Sequence, residues 1–117
     1  MSARRDFADF VTGQMAALGP VRARPMFGGF GLYLQGLMFA LIVDDRLYLK
    51  TDASTRAAFL ERGLGPFTYQ ARGREVRVGY HEAPAEVFDD AAAMADWAAA
   101  AHACARRAAR PAPRRTR

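Results

Sequence analysis

Arg24-Pro25-Met26-Phe27-Gly28-Gly29-Phe30-Gly31-Leu32-Tyr33-Leu34-Gln35-Gly36 packs the glycine cluster Gly28, Gly29 and Gly31 between aromatic and aliphatic residues. A glycine inside a regular element costs roughly 0.5–1 kcal/mol, and no helix tolerates this density, so the stretch reads as strand and turn. Upstream, Val21 to Phe27 alternates apolar and arginine positions, with Pro25 marking an edge strand or a bulge, and Gly28-Gly29 turns the chain. Downstream, Phe30–Leu34 and Leu37–Val43 read as two strands of a hairpin joined at Gln35-Gly36. Leu37-Met38-Phe39-Ala40-Leu41-Ile42-Val43 is apolar throughout. Such a run suits a central strand buried on both faces, or one covered by a helix on one side and by a partner subunit on the other.

Working outward, Phe7, Phe10, Val11, Gln14, Met15 and Leu18 recur at helical spacing and predict a first helix over Asp6–Leu18, ended by Gly19-Pro20. After the turn Asp44-Asp45-Arg46 comes a strand over Leu47–Lys50. Thr51 or Asp52 then caps a second helix that runs through Arg62, with Ala57, Phe59 and Leu60 as its apolar side and Gly63 as its stop. Phe67–Gln70 and Glu75–Tyr80 form a second hairpin with one wet face, turned at Ala71-Arg72-Gly73-Arg74. Pro84 opens a short turn or helical piece, and Asp89 or Asp90 starts a last helix carrying Met94, Trp97, Ala101 and Cys104. The fold class is α+β: an antiparallel sheet of five or six strands with three helices, in the order α, three or four strands, α, two strands, α.

The 117 residues suit one domain, over 1–109, followed by a disordered Arg/Pro-rich tail at 110–117. The formal charge of +5 is concentrated in Arg106, Arg107, Arg110, Arg114, Arg115 and Arg117. Without those six, the remaining 11 basic residues against 12 acidic ones leave a nearly neutral body. The tail could neutralise several phosphates and bind nucleic acid without sequence preference. One cysteine, Cys104, rules out an intrachain disulfide, and no further metal ligands accompany it. With no leader-like or membrane-spanning run of some 18 apolar residues, a cytoplasmic protein is expected.

Catalytic signatures fail at named positions. Ser2 and Ser54 sit in no nucleophile elbow, His81-Glu82 lacks the second histidine of a zinc helix, Leu34 stands where a dinucleotide loop needs its third glycine, and Lys50-Thr51 lacks a preceding phosphate loop. The expectation is no enzyme, no metal and no cofactor. Arg24 and Lys50, beside Tyr48 and Tyr80, are the best candidate ligand residues, pointing into one groove where an arginine fork could hold a carboxylate or phosphate. The more ordinary reading, preferred here, pairs Arg24 with an acid such as Asp45 and leaves Lys50 on a wet sheet edge. Met26, Phe27, Phe30 and Phe39 read as core, Cys104 as a small buried apolar residue, and His81 and His102 as surface residues.

The run Arg24-Pro25-Met26-Phe27-Gly28-Gly29-Phe30-Gly31-Leu32-Tyr33, followed by Met38-Phe39-Ala40-Leu41-Ile42, Leu47-Tyr48-Leu49-Lys50-Thr51, Gly65-Pro66-Phe67-Thr68-Tyr69, Tyr80, Pro84 and Trp97, resembles the N-terminal domain of the TfoX/Sxy family. The likeness spans about Phe7 to Arg107. It implies a two-layer α+β domain with a curved antiparallel sheet, similar to secretion-chaperone folds that commonly dimerise. Met26, Phe27, Gly28, Gly29, Gly31, Phe39 and Trp97 are then structural family positions. It also implies a link to competence regulation, in which full-length members act as transcriptional co-activators beside a cyclic-AMP receptor protein. Those members carry a second, helical domain where this chain has its arginine tail, so it reads as a stand-alone N-terminal domain. The functional expectation is a non-catalytic regulatory or protein-interaction module, a homodimer with a transcription regulator among its candidate partners. The alternatives are a nucleic-acid-associated regulator using the tail and a small-ligand-binding protein.

Overall fold

In the computed structural model, which describes residues 3–26 and 28–109, six antiparallel strands form one sheet in the order β1-β2-β3-β4-β6-β5. The strands are β1 (Arg22–Met26), β2 (Gly29–Leu34), β3 (Leu37–Val43), β4 (Arg46–Lys50), β5 (Pro66–Ala71) and β6 (Arg74–Glu82). The helices are α1 (Ala3–Gln14), α2 (Arg56–Leu60) and α3 (Ala91–Ala109), with 3-10 turns at Ala16–Leu18 and Ala85–Phe88. This is the expected α+β class and element order. Phe27, expected in the core, and the tail 110–117, expected to be disordered, lie outside the described residues.

Tight turns build the sheet. Gln35 and Gly36 both take positive φ (55° and 78°), as do Asp44 and Asp45 (53° and 57°) and Arg72 and Gly73 (55° and 76°). Two consecutive residues of this kind make the two-residue hairpin turn whose twist matches the strands it joins. Pro25 falls in β1, the edge strand, where its missing N–H costs no ladder bond inside the sheet. Gly29 already belongs to β2 rather than to the turn, and a Cβ there would collide with the Ile42 carbonyl oxygen.

One irregularity sorts the apolar run. Leu32 faces Ala40, but Tyr33 faces Met38, so Phe39 is an extra residue in β3. Before and after it the alternation of side chains changes parity. Phe39, Ala40 and Ile42 therefore all join the core under the helices, while Met38 and Leu41 turn to the other face. The expectation of a strand covered by a helix on one side holds, and among the described residues the other side is open.

The core lies between the sheet and the helical layer: Ala8, Val11 and Met15 of α1, Leu32 and Leu34, Leu47 and Leu49, and Met94, Ala98, Ala101 and Ala105 of α3. Gln14 Nε2 donates to the carbonyls of Val87 and Phe88 at 3.1 and 3.2 Å, tying α1 to the turn before α3. Asp90 starts α3 as expected, its Oδ1 accepting from Ala92 N at 2.9 Å and Ala93 N at 3.2 Å.

Several expectations need correction. The first helix stops at Gln14 and continues as a 3-10 turn through Leu18, and Phe10, 46% exposed, lies off the buried stripe. The second helix is one short turn, Arg56–Leu60. Asp52 instead holds a preceding turn, its Oδ1 accepting from Ser54 N, because a short polar side chain bonds its own backbone more readily than it extends a helix. Only Phe59 of its supposed apolar side is buried, and Leu60 is exposed.

His81 and His102 are not surface residues but buried ones, 4% and 3% exposed. Each ring has a partner distant in sequence. His81 Nδ1 lies 3.0 Å from Thr51 Oγ1. His102 accepts at Nδ1 from Arg106 Nη1 at 3.0 Å, so its Nε2 is left to donate to the Leu34 carbonyl, also at 3.0 Å.

Candidate functional site

Alternation in the strands sends one set of side chains to the helices and leaves the other set on an open sheet face. Register fixes who stands beside whom. Arg24, Gly31, Leu41, Tyr48 and Glu82 form one row across β1, β2, β3, β4 and β6. Arg22, Tyr33 and Met38 stand in a second row, beside the pair Lys50 and Tyr80. The sheet curves around this face and leaves a groove of about 760 Å³. Met26, Met38, Leu41, Tyr48, Phe67 and Tyr80 are among its lining residues.

Gly31 is what gives the floor its depth. A Cβ there would lie 2.8 Å from Met26 Sδ and 2.7 Å from Met38 Sδ, so the missing side chain is the space those thioethers occupy. Thioethers are polarisable and adaptable, a surface that moulds to different occupants. At the β4–β5 end, Tyr48 and Phe67 meet edge to face at 5.0 Å, and Tyr69 follows at 6.4 Å from Phe67.

The four candidate ligand residues share this face but do not form one fork. The Arg24 guanidinium lies over the Tyr33 ring at 5.4 Å, and the Lys50 ammonium over Tyr80 at 5.1 Å. Their strands are three spacings apart, roughly 14 Å. The expected Arg24–Asp45 pair is not among the ion pairs of the described residues, since a ring on the neighbouring strand is closer at hand. Lys50 is also not on an edge, because β4 runs between β3 and β6. Burial pushes the Tyr80 phenol up to about 12, with Tyr33 adding to the effect, so it stays protonated. The Tyr48 phenol is raised as well, first by burial and then by the Glu82 carboxylate, with Asp44 acting the same way and Arg46 opposing.

The family-motif residues divide by face. Phe30 and Phe39 are core, Met26 lines the open groove, and Trp97 packs on the helical side, 5.1 Å from Phe59 with the Arg62 guanidinium 5.5 Å from its ring. Gly28 takes φ 76°, the conformation glycine adopts without strain.

The arginines at the end of α3 are engaged within the fold. Arg107 Nε donates to Asp52 Oδ2 at 2.8 Å, and its Nη2 to Ser54 Oγ and Cys104 Sγ, both at 3.2 Å. Arg106 is held by His102. Arg110, Arg114, Arg115 and Arg117 fall outside the described residues. Cys104 is buried, as expected. Among the described residues no three His, Cys, Asp or Glu side chains gather as a metal site, and no helix is long and apolar enough to cross a membrane.

Sequence reasoning missed Tyr33, Met38, Leu41, Phe67 and Tyr69 as members of this face. The alternation Phe67, Tyr69 was a usable signal. Met38 and Leu41 were hidden, because a three-residue interval shares a face only across a bulge.

The profile of a family described as the TfoX N-terminal domain matches residues 13–105. A protein named DNA transformation protein TfoX1, from Aliivibrio fischeri, is 35% identical over 72 residues. The aligned stretch covers 62% of this chain but only 34% of that protein's length.

Proposed function

The chain belongs to the TfoX N-terminal domain family, and from that premise we propose that it is a non-catalytic regulatory module that works by protein–protein contact. The observation that carries this is the open sheet face, a contiguous run of Met26, Met38, Leu41, Val43, Val78 and aromatic side chains that no helix of the described residues covers. An apolar groove that no helix covers is a natural contact surface. The family-level link to DNA transformation supports a regulatory setting. We place that role in the cytoplasm, with a transcription regulator as one candidate partner and a second copy of the chain as another.

The face serves better than the edge. β1 carries Pro25 and the exposed Arg22 and Arg24, features that discourage strand addition. Sedimentation equilibrium of the full chain at micromolar concentration tests the homodimer. A dimer that becomes a monomer in Tyr69→Glu supports it, and a monomeric parent protein overturns it. Tyr69 is 47% exposed, so the change leaves the core intact. A pull-down from cytoplasm with the parent chain and with Tyr69→Glu tests a different protein partner in the same way.

A second reading is favoured by Arg110, Arg114, Arg115 and Arg117, four arginines within eight residues. They would bind nucleic acid through phosphate contacts, with an affinity that falls steeply as salt rises. A chain ending at residue 109 should lose such binding, and equal binding by both chains would end this reading.

A further inference from the structure

The groove has a polarity that the two cations on the face obscure. Arg24 and Lys50 are absent from its lining, each lying over a tyrosine ring, Tyr33 and Tyr80. The charged residue in that lining, among the described residues, is Asp44 at the β3–β4 turn. Asp44 shares the groove with Tyr48, Phe67 and Tyr69. Glu82 stands directly across from Tyr48 in the strand register, in a 3.6 Å contact with Arg46.

Aromatic faces carry negative charge density and attract cations, most strongly where water is excluded. Here three neighbouring rings are accompanied by an acidic residue, Asp44, in the same lining. The Tyr48 phenol is raised first by burial and then by the Glu82 carboxylate, with Arg46 opposing and Asp44 adding last, so the Asp44 charge is felt at this ring. The groove's volume, about 760 Å³, is that of a small-molecule site, and its lining is mostly apolar with few polar groups, as such sites are.

We infer that the β4–β5 end of the open face binds a small organic cation: an ammonium or quaternary ammonium with an apolar body. The charged head sits among Tyr48, Phe67 and Tyr69 with Asp44 as its counter-charge, and the body lies on the Met26 and Met38 thioethers. Gly31 keeps that floor clear. Lys50, two positions along β4 from Tyr48, is already placed on Tyr80. This goes beyond docking and needs only that the groove be accessible in the free protein.

The experiment is a titration of the full chain with benzyltrimethylammonium, benzyl alcohol and phenylacetate, following tyrosine ring and methionine methyl resonances by NMR. The inference expects saturable binding of benzyltrimethylammonium, at least fivefold tighter than of benzyl alcohol, with shifts at Tyr48, Tyr69 and Met38. Asp44→Asn, which keeps a residue suited to positive φ in the turn, should weaken the cation severalfold and leave benzyl alcohol unchanged. Tyr48→Leu should weaken it about tenfold, with the thermal midpoint measured alongside to confirm folding. Absence of saturable binding to the folded parent overturns the inference. So does tighter binding of phenylacetate than of the cation, above all if Lys50→Gln abolishes it, because the groove would then be an anion site. Monomeric behaviour in sedimentation would count against the docking role and leave this result untouched.

Discussion

Asp52 and Arg107, separated by 55 positions in the chain, are joined by a 2.8 Å hydrogen bond from Nε to Oδ2 that fastens the last turns of α3 to the loop after β4. The same carboxylate accepts from Ser54 Oγ at 2.7 Å and Ser54 N at 3.0 Å. One acidic group thus closes its own turn and anchors a helix.

The Arg107 guanidinium, followed by Ser54, holds the Asp52 carboxyl well below the usual carboxylate range. A depressed acid contributes stability above its unfolded value near 4 and loses it as pH falls through the folded value. Thermal melts of the parent and of Asp52→Asn should therefore differ at pH 7, with the parent higher, and converge in strong acid. Equal midpoints at pH 7 would show the anchor to be energetically idle.

His81 behaves in the same direction for a different reason. Burial lowers its imidazole, with Arg56 adding to the effect, so the neutral ring is the folded form. Its contribution is full above the unfolded value near 6.5 and declines as pH falls below it. Urea midpoints taken from pH 7.5 to pH 5 should drop more in the parent than in His81→Gln.

Gly29 and Gly31 should answer differently to alanine. At Gly31 the new methyl meets the thioethers of Met26 and Met38, flexible ends that can move, so a loss of about 1 kcal/mol is expected. At Gly29 it meets the Ile42 carbonyl, which belongs to the ladder and cannot yield without parting β2 from β3. Denaturation curves should show Gly31→Ala folded and Gly29→Ala losing more than about 3 kcal/mol or failing to fold.

Phe39 is fully buried and stands 5.7 Å from the His102 ring. Phe39→Ala should cost roughly 3–5 kcal/mol, since the site is pinned by the bulge and collapses poorly. Urea denaturation measures it, and a cost below about 1 kcal/mol would mean that β3 re-registers.

Arg72, at φ 55° ahead of Gly73, is an unfavourable residue in a favourable turn. Arg72→Asn creates the preferred Asn-Gly pair and should raise stability by a few tenths to about 1 kcal/mol, read as a higher thermal midpoint.

Where local chemistry decides the outcome, it can be read from the chain. Gln35-Gly36 marks a hairpin by residue type alone, and Asp90 marks a helix start. What stays hidden depends on partners far along the chain. Nothing around His81 announces Thr51, 30 positions earlier, or around His102 the Leu34 carbonyl, 68 positions earlier. Arg107 looks like the start of a basic tail until Asp52, 55 positions earlier, is brought beside it in space. Strand alternation is local, and it suffices to put Arg24 and Lys50 on one face. Their separation onto two different rings depends on sheet order, which alternation does not encode.

The extra residue at Phe39 acts on β3 as a phase slip acts on a periodic signal. Sensitivity to polar substitution along Leu37–Val43, scanned one position at a time, should oscillate with period two and then skip a beat between Phe39 and Ala40, two neighbours that are both intolerant. Removing one residue there would restore a regular rhythm and leave the remaining residues on the faces they already hold, whereas removing one elsewhere in the strand would exchange the roles of inside and outside for everything on one side of the cut. A single-codon deletion in this strand should therefore be far more damaging away from Phe39 and Ala40 than at them.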